Sequence, residues 1–316
     1  MKKNKIALAI HGGAGTIVKS SMTGELEKEY RNGLRKALES GWQILSKNGS
    51  ALDAVEASVV ELENFPLFNA GRGSVFTNEG KNEMDASIMD GENLKAGAVA
   101  FVLNVKNPVK LARLVMEKTE HILLGGDGAN QFAEEMKAEF ETDEYFFTEH
   151  RHKQLQDAIS ENKIQLDHAR NSKFKIQNSK PIGTVGAVAC DFSGNVAAAT
   201  STGGMTNKKF GRIGDTPLIG AGTFADNKSC AVSCTGHGEY FMLASTAFDV
   251  SARMKYKNSD LKIAAREAVE YLSEIGGEGG LIAVDAQGNL ALEYNSDGMY
   301  RGFIDENGEV RIEIYS

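Results

Sequence analysis

The sequence predicts a layered protein of mixed helix and strand, either α+β or α/β, with strands near both ends and helices between them. Three observations carry that prediction. The run Ile6-Ala7-Leu8-Ala9-Ile10 ends at His11-Gly12-Gly13 and reads as a buried first strand. A long apolar stripe at helical spacing follows it. Further on, two hairpins share one plan, an Asp-x-x-Gly-Asn turn between apolar runs, at Asp191–Asn195 and Asp285–Asn289.

The elements follow in order. Residues 25–48 place Leu26, Tyr30, Leu34, Leu38, Trp42 and Leu45 on one helical face, and Gly49 ends that helix. Ser50 and Asp53 form a capping box for a second helix running to about Leu62. Asn107-Pro108 supplies a cap and a first-turn proline for a third, through Leu111, Leu114 and Val115. Two more helical stretches cover 239–256 and 260–275. Residues 141–182 are polar, carry few apolar side chains after Phe147 and end at Pro181. Their later part, from about 150 to 182, reads as a mobile, solvated linker, with His150 and His152 as solvated side chains rather than metal ligands.

Bulk properties exclude several classes of function. A chain of 316 residues can bury a sizeable core in one large domain or two ordinary ones. A formal net charge of −8 argues against nucleic-acid or anionic-membrane binding, which need a basic face. No apolar run approaches the ~20 residues needed to span a bilayer. Lys2, Lys3 and Lys5 precede Ile6–Ile10 as in a signal peptide, but that run is too short for an h-region, so a cytoplasmic location is expected. Cys190, Cys230 and Cys234 are too few, and wrongly spaced, for a disulfide framework or a metal site, and are expected as buried thiols. Asn48-Gly49-Ser50 and Asn227-Lys228-Ser229 match the glycosylation sequon by chance.

The most informative segment is Gly183-Thr184-Val185-Gly186-Ala187-Val188-Ala189. A mid-chain threonine hydroxyl lacks a base. If the Gly183–Thr184 bond is cut, Thr184 gains an α-amine with a pKa near ~7.7–8.0, which can serve as that base. The segment alone is equally a buried strand opened by a glycine turn. Thr202 lies eighteen residues later, where the hairpin returns it beside Thr184 and lets its hydroxyl bond the nucleophile. In Gly211-Arg212-Ile213-Gly214-Asp215, Arg212 suits an α-carboxylate and Asp215 an α-ammonium, although a surface ion pair fits the same spacing. Thr235-Gly236-His237-Gly238-Glu239 leads into a helix with flexible backbone suited to an oxyanion, and His237 reads as a loop-structuring residue.

Together these segments resemble the plant-type asparaginase/isoaspartyl peptidase family of N-terminal-nucleophile hydrolases. The match extends through His11-Gly12-Gly13-Ala14-Gly15, Phe68-Asn69-Ala70-Gly71, Met84-Asp85-Ala86 and Gly97-Ala98-Val99-Ala100, and covers nearly all of the chain outside the linker. The resemblance implies an α+β fold built as a four-layer αββα sandwich. It implies a precursor cut by itself between Gly183 and Thr184 into parts 1–183 and 184–316, paired as a dimer of αβ units. Thr184 then matches the nucleophile, Thr202 its supporting threonine, Asn69 an asparagine near it, and Thr235 and Gly236 the oxyanion region. Arg212, Ile213, Gly214 and Asp215, with Thr235 through His237 and Gly238, match the substrate site. The implied substrates are small: L-asparagine and β-aspartyl dipeptides. No cofactor is implied for catalysis. A structural sodium ion is implied on backbone carbonyls of Leu62, Glu63, Phe65, Phe68, Ala70 and Arg72, although Arg72 adds a charge where relatives often have none. The rival readings are a glycosylasparaginase-type hydrolase, which usually carries aspartate where this chain has Gly183, and a catalytically silent binding homologue.

Overall fold

Continuous apolar runs pair into two sheets in the computed structural model, which describes residues 5–15, 17, 19, 22–160, 183–304 and 308–316. The larger sheet has eight strands and the smaller four. In chain order the elements begin with β1 (Ala7–Gly15), α1 (Gly24–Leu45), α2 (Ala51–Glu63), β2 (Met84–Asp90), β3 (Ala96–Val102), α3 (Pro108–Lys118), β4 (Leu123–Gly125), α4 (Gly126–Glu135), α5 (Asp143–Phe146) and α6 (Glu149–Ser160). They continue with β5 (Val185–Cys190), β6 (Val196–Thr202), β7 (Thr223–Ala225), β8 (Cys230–Gly236), α7 (Gly238–Ala244), α8 (Thr246–Lys257) and α9 (Leu261–Glu274). The chain closes with β9 (Gly279–Asp285), β10 (Leu290–Tyr294), β11 (Gly298–Ile304) and β12 (Val310–Tyr315).

The large sheet runs β12-β11-β1-β5-β6-β2-β3-β4 and the small one β10-β9-β8-β7. Among the described residues the sheet strands pair antiparallel, except β3 with β4, which are parallel. Helices α1 and α2 pack on β1, β5, β6 and β11, while β8 and β9 pack against β1, β5 and β6. Small side chains such as Ala7, Ala9, Ala198 and Ala231 join Ile282 and Val284 in a buried cluster shared by the two sheets. Helices α8 and α9 bury Ala247, Val250, Ala264 and Ala268 against β8 and β9.

Local chemistry explains the helix starts. Thr23 caps α1 by accepting from Leu26 N (3.3 Å), and Ser50 caps α2 by accepting from Asp53 N (3.1 Å). Asn107 precedes Pro108 as expected, but its amide donates to Glu63 Oε2 (3.1 Å) and Asn64 Oδ1 (3.1 Å) and so ties α3 to α2. The two Asp-x-x-Gly-Asn turns are built alike. Asp191 Oδ1 accepts from Ser193 N and Asn195 N, and Asp285 Oδ1 accepts from Gln287 N and Asn289 N. Cys190, Cys230 and Cys234 are buried free thiols.

Two expectations change. The stretch assigned to a linker from about 150 starts as helix α6, which buries Arg151, Leu155 and Ala158. Arg151 Nε donates to the Gly73 carbonyl (2.8 Å), so α6 is anchored to the body, and His152 packs near the rings of Phe76 and Phe147 rather than standing in solvent. The rest of that linker, 161–182, lies outside the described residues. The helix expected over 239–256 is two helices, broken at Ser245, whose left-handed backbone (φ 48°) a straight helix cannot hold. No described helix is long and apolar enough to cross a membrane.

Candidate active site

Thr184 stands immediately before β5, between β1 and β6. The Asp191 turn sets the β5–β6 register as Val185 opposite Ser201 and Gly186 opposite Thr200. That register brings Thr202 back beside Thr184, whose Oγ1 donates to Thr202 Oγ1 at 3.1 Å. Thr202 Oγ1 also accepts from Gly204 N (3.0 Å), which fixes its position. One residue earlier, Ser201 donates to Glu63 Oε1 (2.7 Å) and locks β6 to the end of α2. Burial raises the Glu63 carboxyl to about 7. The bulged end of β1 lies against the bond upstream of Thr184. Gly13 has φ +118°, and a Cβ there would collide with the Gly183 amide nitrogen.

Strand β8 delivers Thr235 and Gly236 to the same region. Thr235 is fully buried, and its Oγ1 has no hydrogen-bond partner among the described residues. A buried hydroxyl without a partner carries an energetic cost. Gly236 lines a small cleft together with Asn69, Gly183, Thr184, Thr202 and Asp215. Asn69 knits its rim, donating from Nδ2 to the Gly204 carbonyl (2.8 Å) and accepting at Oδ1 from Val75 N (3.0 Å). A larger hollow of about 340 Å³, lined by Phe76, Asn104 and Phe147, contains none of these residues.

Arg212 and Asp215 converge on the cleft from one loop. Asp215 is buried, and desolvation raises its carboxyl to about 7 despite the opposing field of Arg212. Its Oδ2 is another buried atom without a partner among the described residues. Glycines make the room. A Cβ on Gly238 would lie 2.7 Å from Asp215 Oδ1 and 3.1 Å from Arg212 Nη2, and one on Gly214 would lie 2.9 Å from Arg212 Nη1. Ile213 is half-buried. His237 precedes α7 with Nε2 3.3 Å from Glu239 Oε2, and burial lowers its pKa. Ile213, Thr235, His237 and Gly238 are not among the cleft walls; Thr235 lies buried behind Gly236.

The sequence reading gave no role to Glu239, yet it grips Arg212 with two bonds of 2.8 Å, from Nε to Oε1 and from Nη2 to Oε2. An acid in the first turn after a Gly-His-Gly loop was the available signal. His11 was missed as well. It is fully buried, its Nδ1 bonds the Thr184 carbonyl (3.0 Å), and burial depresses its pKa to about 3. A histidine ending an apolar strand was the clue there.

Among the described residues no three His, Cys, Asp or Glu side chains converge to hold a metal. The donors implied for sodium are neutral carbonyl oxygens, the ligand type a hard cation takes. Gly71, at φ +50°, closes the 62–72 loop so tightly that a Cβ would lie 2.5 Å from the Glu63 carbonyl oxygen. Arg72 is exposed, with its guanidinium 5.2 Å from the Tyr145 ring centroid, so its charge is drawn to that ring. The residues present fit such an ion.

The Thr184–Thr202 pair, the Gly236 backbone and the Arg212–Asp215 loop thus meet at one cleft. The asparaginase family model matches residues 4–314, and the chain belongs to that family of hydrolases. It is 50% identical over 301 residues to the isoaspartyl peptidase of Salmonella typhimurium, covering 95% of each chain. The isoaspartyl peptidase of Escherichia coli is 49% identical over 300 residues, with 95% of this chain and 92% of the relative covered. An isoaspartyl peptidase/L-asparaginase of Xenopus laevis is 43% identical over 312 residues, covering 98% and 96%.

Proposed function

We propose that this enzyme is a self-cleaving threonine amidohydrolase that releases L-aspartate from β-aspartyl dipeptides and L-asparagine. The observation that carries the reading is Thr184, held 3.1 Å from Thr202 in a cleft that also contains Arg212, Asp215 and Gly236. The packing of α1–α2, two sheets and α8–α9 supports the four-layer αββα sandwich of this hydrolase class. The names of the relatives support the substrate class.

In the precursor, Thr184 Oγ attacks the Gly183 carbonyl carbon. The C–N bond breaks, the nitrogen leaves as the protonated amine, and water hydrolyses the ester to free Gly183 and a mature Thr184. The mature α-amine then takes the hydroxyl proton as Oγ attacks the substrate side-chain carbonyl. Thr235 Oγ1 and Gly236 N–H donate to the oxyanion. The leaving amine or ammonia departs with a proton, and water hydrolyses the β-aspartyl ester. Asp215 accepts from the substrate α-ammonium. Glu239 holds Nε and Nη2 of Arg212, so the Nη1 edge, turned toward Gly214, meets the α-carboxylate. Carbonyls of Leu62, Glu63, Phe65, Phe68, Ala70 and Arg72 hold a sodium ion that stiffens the loop beneath Asn69. Two αβ units pair into a dimer, which sedimentation of the mature protein tests.

Intact mass followed over time tests the core of this reading. The wild type is expected to split at Gly183–Thr184, while Thr184→Ala stays whole and releases no aspartate. A Thr184→Ala protein that still turns over substrate would remove the assignment.

A further inference from the structure

The His11 ring joins the nucleophile to a line of buried hydroxyls. Ser233 Oγ lies 2.8 Å from His11 Nε2, Thr200 Oγ1 lies 2.7 Å from Ser233 Oγ, and Thr223 Oγ1 donates to Thr200 Oγ1 at 2.5 Å. Ser87 Oγ closes the line, 2.8 Å from Thr223 Oγ1 and 2.6 Å from the carbonyl of Thr216, next to Asp215. All five side chains are fully buried. The hydrogens from His11 to Thr223 follow from the ring, while the single hydrogen of Ser87 serves either Thr223 Oγ1 or the Thr216 carbonyl. A carbonyl only accepts, so the hydrogen on the bond to Thr184 belongs to His11 Nδ1. A neutral ring then leaves Nε2 as acceptor, so Ser233 donates to it, Thr200 to Ser233, and Thr223 to Thr200.

Gly186 supplies an independent observation. Its φ is ordinary, yet a Cβ there would collide with Ser233 Oγ and lie 2.5 Å from His11 Nε2. The glycine two residues after Thr184 is therefore required by the space of the His11–Ser233 bond. The β1–β5 pairing also stops at His11 opposite Gly186, and β1 bulges beyond it. At the Thr184 carbonyl, an imidazole N–H takes up the bonding that β1 supplies further along the strand.

We propose that His11, oriented by Ser233 and the hydroxyls behind it, is a positioning residue that sets the direction in which the mature Thr184 presents its amine and hydroxyl to the substrate. The inference rests on Thr184 being the nucleophile. Cutting the bond to Gly183 removes the peptide plane upstream, so χ1 places the amine relative to Oγ and ψ places both of them relative to the strand. The bond to Thr202 fixes χ1, and the His11 bond fixes the carbonyl plane and hence ψ. Without His11 the amine and hydroxyl turn together about ψ, out of line with the Arg212–Asp215 recess, which is itself untouched.

Two measurements on the mature enzyme test this. In ¹⁵N-histidine NMR, His11 is expected as a neutral ring protonated at Nδ1 between about pH 5 and pH 9, the range in which a free histidine titrates. Rates taken per cleaved chain are expected to fall about 100-fold in kcat for His11→Leu, the scale of a 1 Å misplacement, with KM within about threefold. His11→Asn, which can place an amide N–H at the Nδ1 position, should recover most of that loss. An Nε2-protonated or titrating ring, or a His11→Leu enzyme with wild-type kcat, overturns the proposal. Should His11→Leu not fold, Ser233→Ala decides: mixed tautomers and a lowered kcat support the relay, and an unchanged tautomer and kcat refute it. Activity surviving in Thr184→Ala would instead sink the nucleophile reading, with the tautomer still reporting on the relay.

Discussion

At Asp215 burial and function pull in opposite directions. Burial raises the carboxyl from 3.8 to about 7, yet the proposed contact with a substrate α-ammonium needs it ionised. The sign for stability follows from proton binding. Between those two values the folded state holds the proton more tightly than the unfolded chain, so stability is full below the lower value and is lost as pH rises toward about 7. Glu63, raised from 4.5 to about 7 by burial, acts in the same sense. Asp215→Asn should therefore melt a few degrees higher than wild type near pH 8 and lose that advantage near pH 4. It should also raise KM about 10–100-fold, the loss of one charged hydrogen bond. In the wild type KM should fall as pH rises through about 7, whereas the Thr184 amine, near ~7.7–8.0, should appear in kcat. A wild-type KM that stays flat from about pH 5.5 to about 8.5 would mean that Asp215 does not meet the ammonium. At this scale the sequence showed residues that stand in dense motifs, such as Thr184, Thr202, Arg212 and Asp215. Glu239 and His11 stayed hidden because their partners are distant in the chain: the His11–Ser233 contact spans 222 residues.

Among the elements, the turn joining α2 to the Asn69 loop carries the proposed ion. The loop is drawn tight by Gly71 and roofed by Arg151, whose Nε reaches Gly73 from α6. An ion bound only by the folded loop stabilises the whole protein by mass action, about 2.7 kcal/mol at a hundredfold excess over its Kd. Melting temperature should therefore rise by several degrees in sodium chloride relative to choline chloride at equal ionic strength. Equal melting in sodium, potassium and choline would remove the ion from the account. Elements specified by local chemistry were legible: caps such as Ser50, the periodic stripe of α1 and the twin aspartate turns. Those fixed by tertiary contacts were not. Helix α6 buries an arginine that reads as a surface residue, and the break at Ser245 is a backbone state no local pattern announces.

For the molecule as a whole, the decisive fact is the interleaving of the two parts. Residues before Gly183 contribute β1 to β4, and residues from Thr184 contribute β5, β6, β11 and β12 to the same sheet. Strand β1 is inserted between β11 and β5, with Leu8 opposite both Ile304 and Ala189, and β2 pairs with β6. That order could not be read from the sequence, because the first strand finds one neighbour almost at the other end of the chain. It carries a consequence for the cleaved form proposed above. Separating the parts would open three antiparallel ladders and strip α2 from β5 and β6, exposing apolar strand edges. Once cut, the two pieces should co-elute on size exclusion, unfold in a single cooperative transition, and part only in denaturant. Residues 184–316 expressed alone should aggregate, since β5 and β11 would lack the strand between them. Pieces that separate in native buffer, or a soluble and monomeric 184–316, would contradict the strand order itself.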